Sequence, residues 1–260
     1  MRPNHDLHNH TIHCDHAREN ATVKNLIFKA ADLQLECLGI SEHVRFSEEA
    51  ENIENIKRDL KEIEIPENFP RILLGVELDP DPIYMDGRFV ADIENLDYTM
   101  MSIHRMPQIG IGVWKYKKLE HTNKELEKMG HLWMEFLEAC IEYSSFNILG
   151  HPVRFPIELN LFDIKNDIVF LRVVDILKKL ADKKTAFEIN DKLAGILMNS
   201  GYMEIYADLI KELKKYGVKF CRGSDSHSLG KVGSWNNAQC LVSLSGITDE
   251  DWIKPEEWFA

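Results

Sequence analysis

The chain has 260 residues, 31 of them basic and 43 acidic, giving a formal charge of −12 with an apolar fraction of 44%. That composition supports a sizeable buried core, and its acidic balance argues against a general nucleic-acid or anionic-membrane surface. A locally cationic site can still bind an anion, so phosphorylated substrates stay within range.

No apolar run reaches transmembrane length, and Met1-Arg2-Pro3-Asn4 leads into polar residues, so a cytoplasmic protein with no membrane partner is expected. Five cysteines without a Cys-x-x-Cys pair read as reduced thiols. Cys37, Cys140 and Cys221 lie in apolar segments and read as core filler, whereas Cys14 sits among candidate ligands.

The opening stretch, Asp6-Leu7-His8-Asn9-His10-Thr11-Ile12-His13-Cys14-Asp15-His16-Ala17, is rich in histidine. If it is a strand, period-two geometry points His8 and His10 to one face, where both imidazoles can offer a nitrogen to one cation. Val23, Leu26, Ile27 and Ala30 then recur at helical spacing behind Thr22 as cap. Residues 37–41 form a short apolar run ending in Glu42-His43. Residues 49–63 are charged and helical in pattern, stopped by Pro66. Residues 72–76 read as a buried strand ending in Glu77, and residues 98–103 as one ending in His104.

A long helix is expected over 123–143, with Leu126, Met129, Trp133, Phe136, Leu137 and Cys140 as its stripe. Residues 146–150 are apolar and end in His151. Phe170, Val173, Val174, Leu177 and Leu180 make another stripe, before the run 185–189 that carries Glu188. Tyr206, Leu209, Ile210 and Leu213 mark a helix stopped by Gly217. Residues 218–222 form the last strand, ending in Gly223-Ser224-Asp225-Ser226-His227.

About seven strand-like runs alternating with helices imply a parallel sheet. Six of them deliver a metal-competent side chain at or just past their C-terminal end. A closed barrel brings those ends to one mouth, whereas an open sheet spreads them along an edge, so the barrel is favoured. With no repeat, low-complexity tract or flexible linker, a single domain over 1–260 is expected. Residues 105–121, with Trp114, Tyr116 and Lys115, Lys117 and Lys118, suit either a flap beside the mouth or an ordinary surface loop.

The candidate site gathers His8, His10, His16, His43, Glu77, His104, His151, Asp225 and His227. Neutral core histidines occur singly, each with its own hydrogen-bond partner, so this set points to metal. One zinc ion with an open position uses three protein ligands, so nine donors imply two or three divalent ions sharing carboxylates. Imidazole and carboxylate suit zinc, manganese and iron alike.

The ordered set His-x-His, Thr-x-x-Cys-x-His-Ala, Ser-Glu-His, Gly-x-Glu, Ser-x-His, Gly-His-Pro and Gly-Ser-Asp-Ser-His, spanning His8 to His227, resembles the PHP family, named for polymerase and histidinol phosphatase. The resemblance implies an α/β fold, a distorted (β/α)7 barrel with a trinuclear metal centre at the C-terminal ends of the strands. It implies that His8, His10, Glu77 and Asp225 hold one ion, that Glu77 bridges to a second on His104 and His151, and that His16, His43 and His227 hold the third. His5, His13, His121 and His131 match no ligand position.

The activity so implied is hydrolysis of a small-molecule phosphate monoester by a metal-activated hydroxide, with Glu77, Asp225 and His227 as catalytic residues and a histidinol-phosphate-like substrate favoured. Nucleotides or another phosphorylated metabolite, or an amidohydrolase-type deamination or amide hydrolysis, are the alternatives, and a non-catalytic metal-binding module is a further one. Arg154 and Arg105, each close after a ligand histidine, are the candidate phosphate-binding residues. One departure stands out: histidinol phosphatases tend to have an acidic residue near His151, where this chain runs Pro152-Val153-Arg154-Phe155. Glu188 fits a family strand in which a carboxylate either faces a cationic substrate group or supports a histidine ligand.

Overall fold

The computed structural model describes residues 3–255. Seven strands, β1 (His5–Asp6), β2 (Cys37–Val44), β3 (Arg71–Leu78), β4 (Tyr98–Met101), β5 (Ile148–Leu149), β6 (Ala186–Asn190) and β7 (Phe220–Gly223), run parallel in sequential order. The Leu7 N–H donates to Arg222 O at 2.9 Å and the His10 N–H to Ser226 O at 2.9 Å, so the first strand meets the last and the barrel is nearly closed.

The opening strand itself is short, His5–Asp6, although isolated backbone bonds continue past it to His10. Side chains reinforce them. The Asp6 carboxylate accepts from the Ser224 N–H at 2.9 Å and the Gly233 N–H at 2.8 Å. Asn9 donates to Asp6 O and Gly39 O, and accepts from Ser224 and Ser226 hydroxyls. Together with the backbone bonds, these contacts hold the histidine-bearing segment in place.

Helices wrap the outside: α1 (Val23–Asp32), α2 (Ala50–Glu62), α3 (Val113–Tyr116), α4 (Asn123–Tyr143), α5 (Arg154–Glu158), α6 (Asp167–Leu177), α7 (Leu180–Lys183), α8 (Asp191–Ser200), α9 (Met203–Lys215) and α10 (Ala238–Ser245). Thr22 caps α1 as its sequence suggests, accepting from the Asn25 N–H. Thr122 and Glu125 form a reciprocal capping box on α4. The stripe from Phe170 to Leu180 divides into α6 and α7. The β3–β4 connection contains no helix, which distorts the barrel from regular β/α alternation. No helix among the described residues is long and apolar enough to cross a membrane, and all five cysteines are free thiols.

Below the site, the barrel interior is filled by Leu7, Leu73, Tyr98, Met100, Ile148 and their neighbours. The Tyr98 ring crosses it and donates its hydroxyl to Leu7 O at 2.6 Å. Gly39 and Gly75 make room for that ring, since a methyl at either would run into it. Overpacking of this kind costs about 1–3 kcal/mol. Gly75→Ala should therefore lower the unfolding free energy by about that amount in denaturant titration, and an unchanged midpoint would mean that the ring moves aside freely.

Candidate metal centre

The barrel brings the chemistry-bearing side chains to its C-terminal mouth. His8 and His10 follow β1, His43 lies on β2, and Glu77 is near the end of β3. His104 follows β4, His151 follows β5, and Asp225 and His227 follow β7. His151 (φ 26°), Val153 (φ 53°) and Asp225 (φ 54°) take left-handed conformations although none is glycine. Such backbone costs on the order of 1–3 kcal/mol per residue and persists where the surroundings over-determine it.

Glu77 is the hub, with no solvent exposure. His43 Nδ1 lies 2.7 Å, His8 Nε2 3.3 Å and His10 Nε2 3.5 Å from its Oε2. His151 Nε2 lies 2.9 Å and His104 Nε2 3.5 Å from its Oε1. In spite of this crowding, neither Glu77 oxygen nor His43 Nδ1 has a hydrogen-bond partner among the described residues. Nitrogens and carboxylate oxygens that approach closely without hydrogen-bond alignment present their lone pairs to shared points. The donor set therefore fits divalent cations, because a buried carboxylate without a partner is otherwise costly.

Two triads contain Glu77, His8–His10–Glu77 and His43–Glu77–His104, each with its ligand atoms within 4.8 Å of one another. A third set comprises His10, Cys14, His43 and His227 at the same spacing. Burial would push the Glu77 carboxyl up, but His8, His43 and His104 hold it well below the ordinary carboxylate range. Burial likewise disfavours a charged His8, yet Glu188 and Glu77 raise it well above the ordinary imidazole value. Burial lowers His227 to about 4, Asp225 opposing.

Behind the ligand nitrogens stand carboxylates. Glu188 Oε1 is 2.7 Å from His8 Nδ1, Glu42 Oε1 is 3.2 Å from His10 Nδ1, and Asp79 Oδ1 is 2.6 Å from His104 Nδ1. Glu42 is itself fixed by the Thr11 N–H at 2.9 Å and the Thr11 hydroxyl at 2.7 Å. A carboxylate on one ring nitrogen fixes the tautomer and frees the other nitrogen for a cation. Of the two roles open to Glu188, the geometry fits support of His8, with Asn190 donating to the same oxygen at 3.0 Å. Sequence reasoning passed over Glu42 and Asp79, though each lies beside a ligand position, Glu42 next to His43 and Asp79 two residues past Glu77.

His16 is the most exposed of the predicted ligands, although it lines the same cavity as His43 and His227. Its side chain is 49% exposed, with Nδ1 2.5 Å from Asp15 Oδ1, and its ring lies 4.4 Å from that of His227 and 5.3 Å from that of His43. Cys14, not His16, joins the compact set with His43 and His227. The histidines outside the ligand pattern have other partners: His5 accepts from the Arg222 N–H, His13 pairs with Asp59, and His121 bonds Tyr116 O. His131 is exposed on α4.

A cavity of about 300 Å³ opens above the cluster, lined in part by His43, His104, His151, Arg154, Arg105 and Lys192. Arg154 donates through Nη1 to Asp225 Oδ2 at 3.2 Å and through Nε to Glu158 Oε1 at 2.7 Å. Lys192, which the sequence reading did not single out, donates to Asp225 Oδ1 at 3.1 Å. The 105–121 segment sits beside the mouth. Arg105, Gly112 and Trp114 line the cavity, and Tyr116 is buried against His121.

A nearly closed parallel barrel with clustered imidazoles and a buried carboxylate at its C-terminal mouth defines a metal-binding barrel of the hydrolase type. The PHP domain model matches residues 6–192, so the chain belongs to the PHP family, a phosphoesterase family. Among solved structures it is similar to histidinol phosphate phosphatase from Lactococcus lactis, complexed with zinc, L-histidinol and phosphate, at 18% identity and a TM-score of 0.65. The likeness covers 96% of this chain and 95% of that one, and supports the (β/α)7 barrel. No curated protein sequence matches the chain.

Because Glu77 belongs to two of the triads, Glu77→Ala should remove more than one equivalent of metal. Elemental analysis of the purified variant checks this, and an intact complement would contradict a shared carboxylate.

Proposed function

We propose that the protein hydrolyses a phosphate monoester of a small molecule with two or three divalent metal ions at this centre. The observation that carries the reading is Glu77, a buried carboxylate ringed by five imidazoles, with neither oxygen hydrogen-bonded among the described residues. His8, His10, Glu77 and Asp225 would hold one ion, Glu77, His104 and His151 a second, and His16, His43 and His227 a third. Zinc is the leading candidate because the similar Lactococcus enzyme was solved with it; manganese and iron accept the same donors. Such ions supply electrophilic charge to phosphoryl oxygens and acidify water.

The remaining steps fall to this chain's own residues. Asp225 and His227 would complete the donor set, with Asp225 Oδ1 lying 3.8 Å from His10 Nε2. Arg154 is fixed at Nε by Glu158 and at Nη1 by Asp225, and it lines the cavity. A planar guanidinium there matches two oxygens of a phosphoryl group as it gains charge in the transition state. Phe155 and Trp114, in edge contact at 5.5 Å, wall the cavity and limit water. Arg105 is the second substrate-binding arginine. Histidinol phosphate is the first compound to assay, since the Lactococcus structure holds histidinol and phosphate; nucleotides and other phosphorylated metabolites belong in the same screen.

The metal-replete protein should release phosphate from a monoester, lose this on chelation and regain it when metal is restored. Absence of turnover with zinc, manganese or iron across the screen would defeat the reading. Arg154→Ala should keep the metal complement yet lower kcat/KM by roughly 10- to 100-fold, the worth of a charge-assisted hydrogen bond of about 1.5–3 kcal/mol.

A further inference from the structure

The mouth of the barrel is cationic on a protein of net charge −12. Arg45, Arg105, Arg154 and Lys192 line the cavity, and Asp225 is its one carboxylate among the described residues. Three of these cations are engaged. Arg45 pairs with Glu49 at 2.7 Å and Asp15 at 3.2 Å. Arg154 pairs with Glu158 and Asp225, and Lys192 with Asp225.

Arg105 differs. It is only 9% exposed, and its Nε and Nη2 have no hydrogen-bond partner among the described residues. Its guanidinium lies 4.7 Å from the Phe46 ring, and its backbone is pinned by an antiparallel bridge to Gly112. A buried guanidinium with unspent N–H groups is costly unless an anion completes it.

Its place in the barrel says which anion. Arg154, which starts α5 just after β5, and Lys192, on α8 after β6, both reach over to Asp225 past the end of β7, whereas Arg105 follows β4, three strands from β7 in the sheet order. In a nearly closed seven-stranded barrel those positions face each other across the mouth. A phosphoryl group held beside Asp225 therefore leaves Arg105 to meet the far end of the substrate. An ammonium group at that end would find like charge and no free carboxylate, since Asp225 already receives two cations.

We infer that the leaving group of the preferred substrate carries a second anionic group, a carboxylate or a phosphate, received by Arg105, and that amino-alcohol phosphates are disfavoured. This rests on the phosphatase reading above. It makes Arg105 a specificity-determining residue and assigns the transferring phosphoryl group to the Arg154 and Lys192 side.

The test compares phosphoglycerate, a sugar bisphosphate, glycerol phosphate, phosphoethanolamine and histidinol phosphate on the metal-replete protein and on Arg105→Gln. In the wild type, kcat/KM for phosphoglycerate, the bisphosphate or both should exceed that for glycerol phosphate by roughly tenfold or more, with the two ammonium compounds lowest. Which of the two anionic compounds leads identifies carboxylate or phosphate as the second anion. In Arg105→Gln the ratio of anionic to neutral leaving groups should collapse through a higher KM for the anionic ones.

Equal rates for all leaving groups, a preference for the ammonium compounds, or a proportional loss on every substrate in Arg105→Gln would overturn the inference. Calorimetric binding of the same compounds separates it from the phosphatase reading. If nothing is hydrolysed but phosphoglycerate or the bisphosphate binds tenfold tighter than glycerol phosphate, and Arg105→Gln removes the difference, the subsite stands while the activity falls. No such difference in binding would end both.

Discussion

The structure turns on one buried carboxylate. Glu77 has no solvent exposure and five histidine rings converge on it, yet its oxygens have no hydrogen-bond partner among the described residues. In an apolar interior an unpaired carboxylate is held only at a cost of several kcal/mol. The neighbouring imidazoles offset part of this, holding the Glu77 carboxyl well below its ordinary range, while Glu188 and Glu77 hold His8 well above its own despite burial. Divalent cations offset it more completely, and they turn a cluster that is awkward as protein alone into a coordinated centre. The supporting carboxylates Glu188, Glu42 and Asp79 make sense in the same terms, each orienting an imidazole so that its free nitrogen faces the shared space.

Much of the fold serves to hold these groups at the mouth. His43 and Glu77 face each other within the ladder of β2 and β3, whereas the other donors lie past the ends of their strands, where side-chain bonds add to the backbone pairing. Asp6 and Asn9 stitch the first segment to the last across the barrel seam. Beneath them, Tyr98 plugs the interior through space left by Gly39 and Gly75. The strained conformations at His151, Val153 and Asp225 occur where the chain must turn sharply just after a strand to bring a donor inward. That strain is tolerable because the surrounding packing and, on this account, the bound ions fix the turn.

The sequence made about seven strands legible because parallel strands buried on both faces appear as apolar runs, and six of the runs visibly ended in a donor. Eight of the nine anticipated ligands crowd the mouth, while His16 lies at its edge, turned to Asp15. A His-x-His or Cys-x-His spacing cannot say which way a loop side chain turns, and Cys14 occupies the nearer position. Helix α8 was missed because Asn190 ends a strand and also caps the helix, accepting from the Leu193 N–H at 2.8 Å. Lys192 was missed with it, since its role depends on a partner 33 positions later. Glu42 and Asp79 had local signals, but their partners come from other strands, and only the barrel register reveals them.

The central claim is that the carboxylate is shared by more than one ion. Titrating zinc into the metal-free protein while following both bound metal and phosphate release tests it most directly. The account predicts at least two equivalents bound, with full activity reached only after the second. Full activity at a single equivalent, with no further uptake, would contradict it.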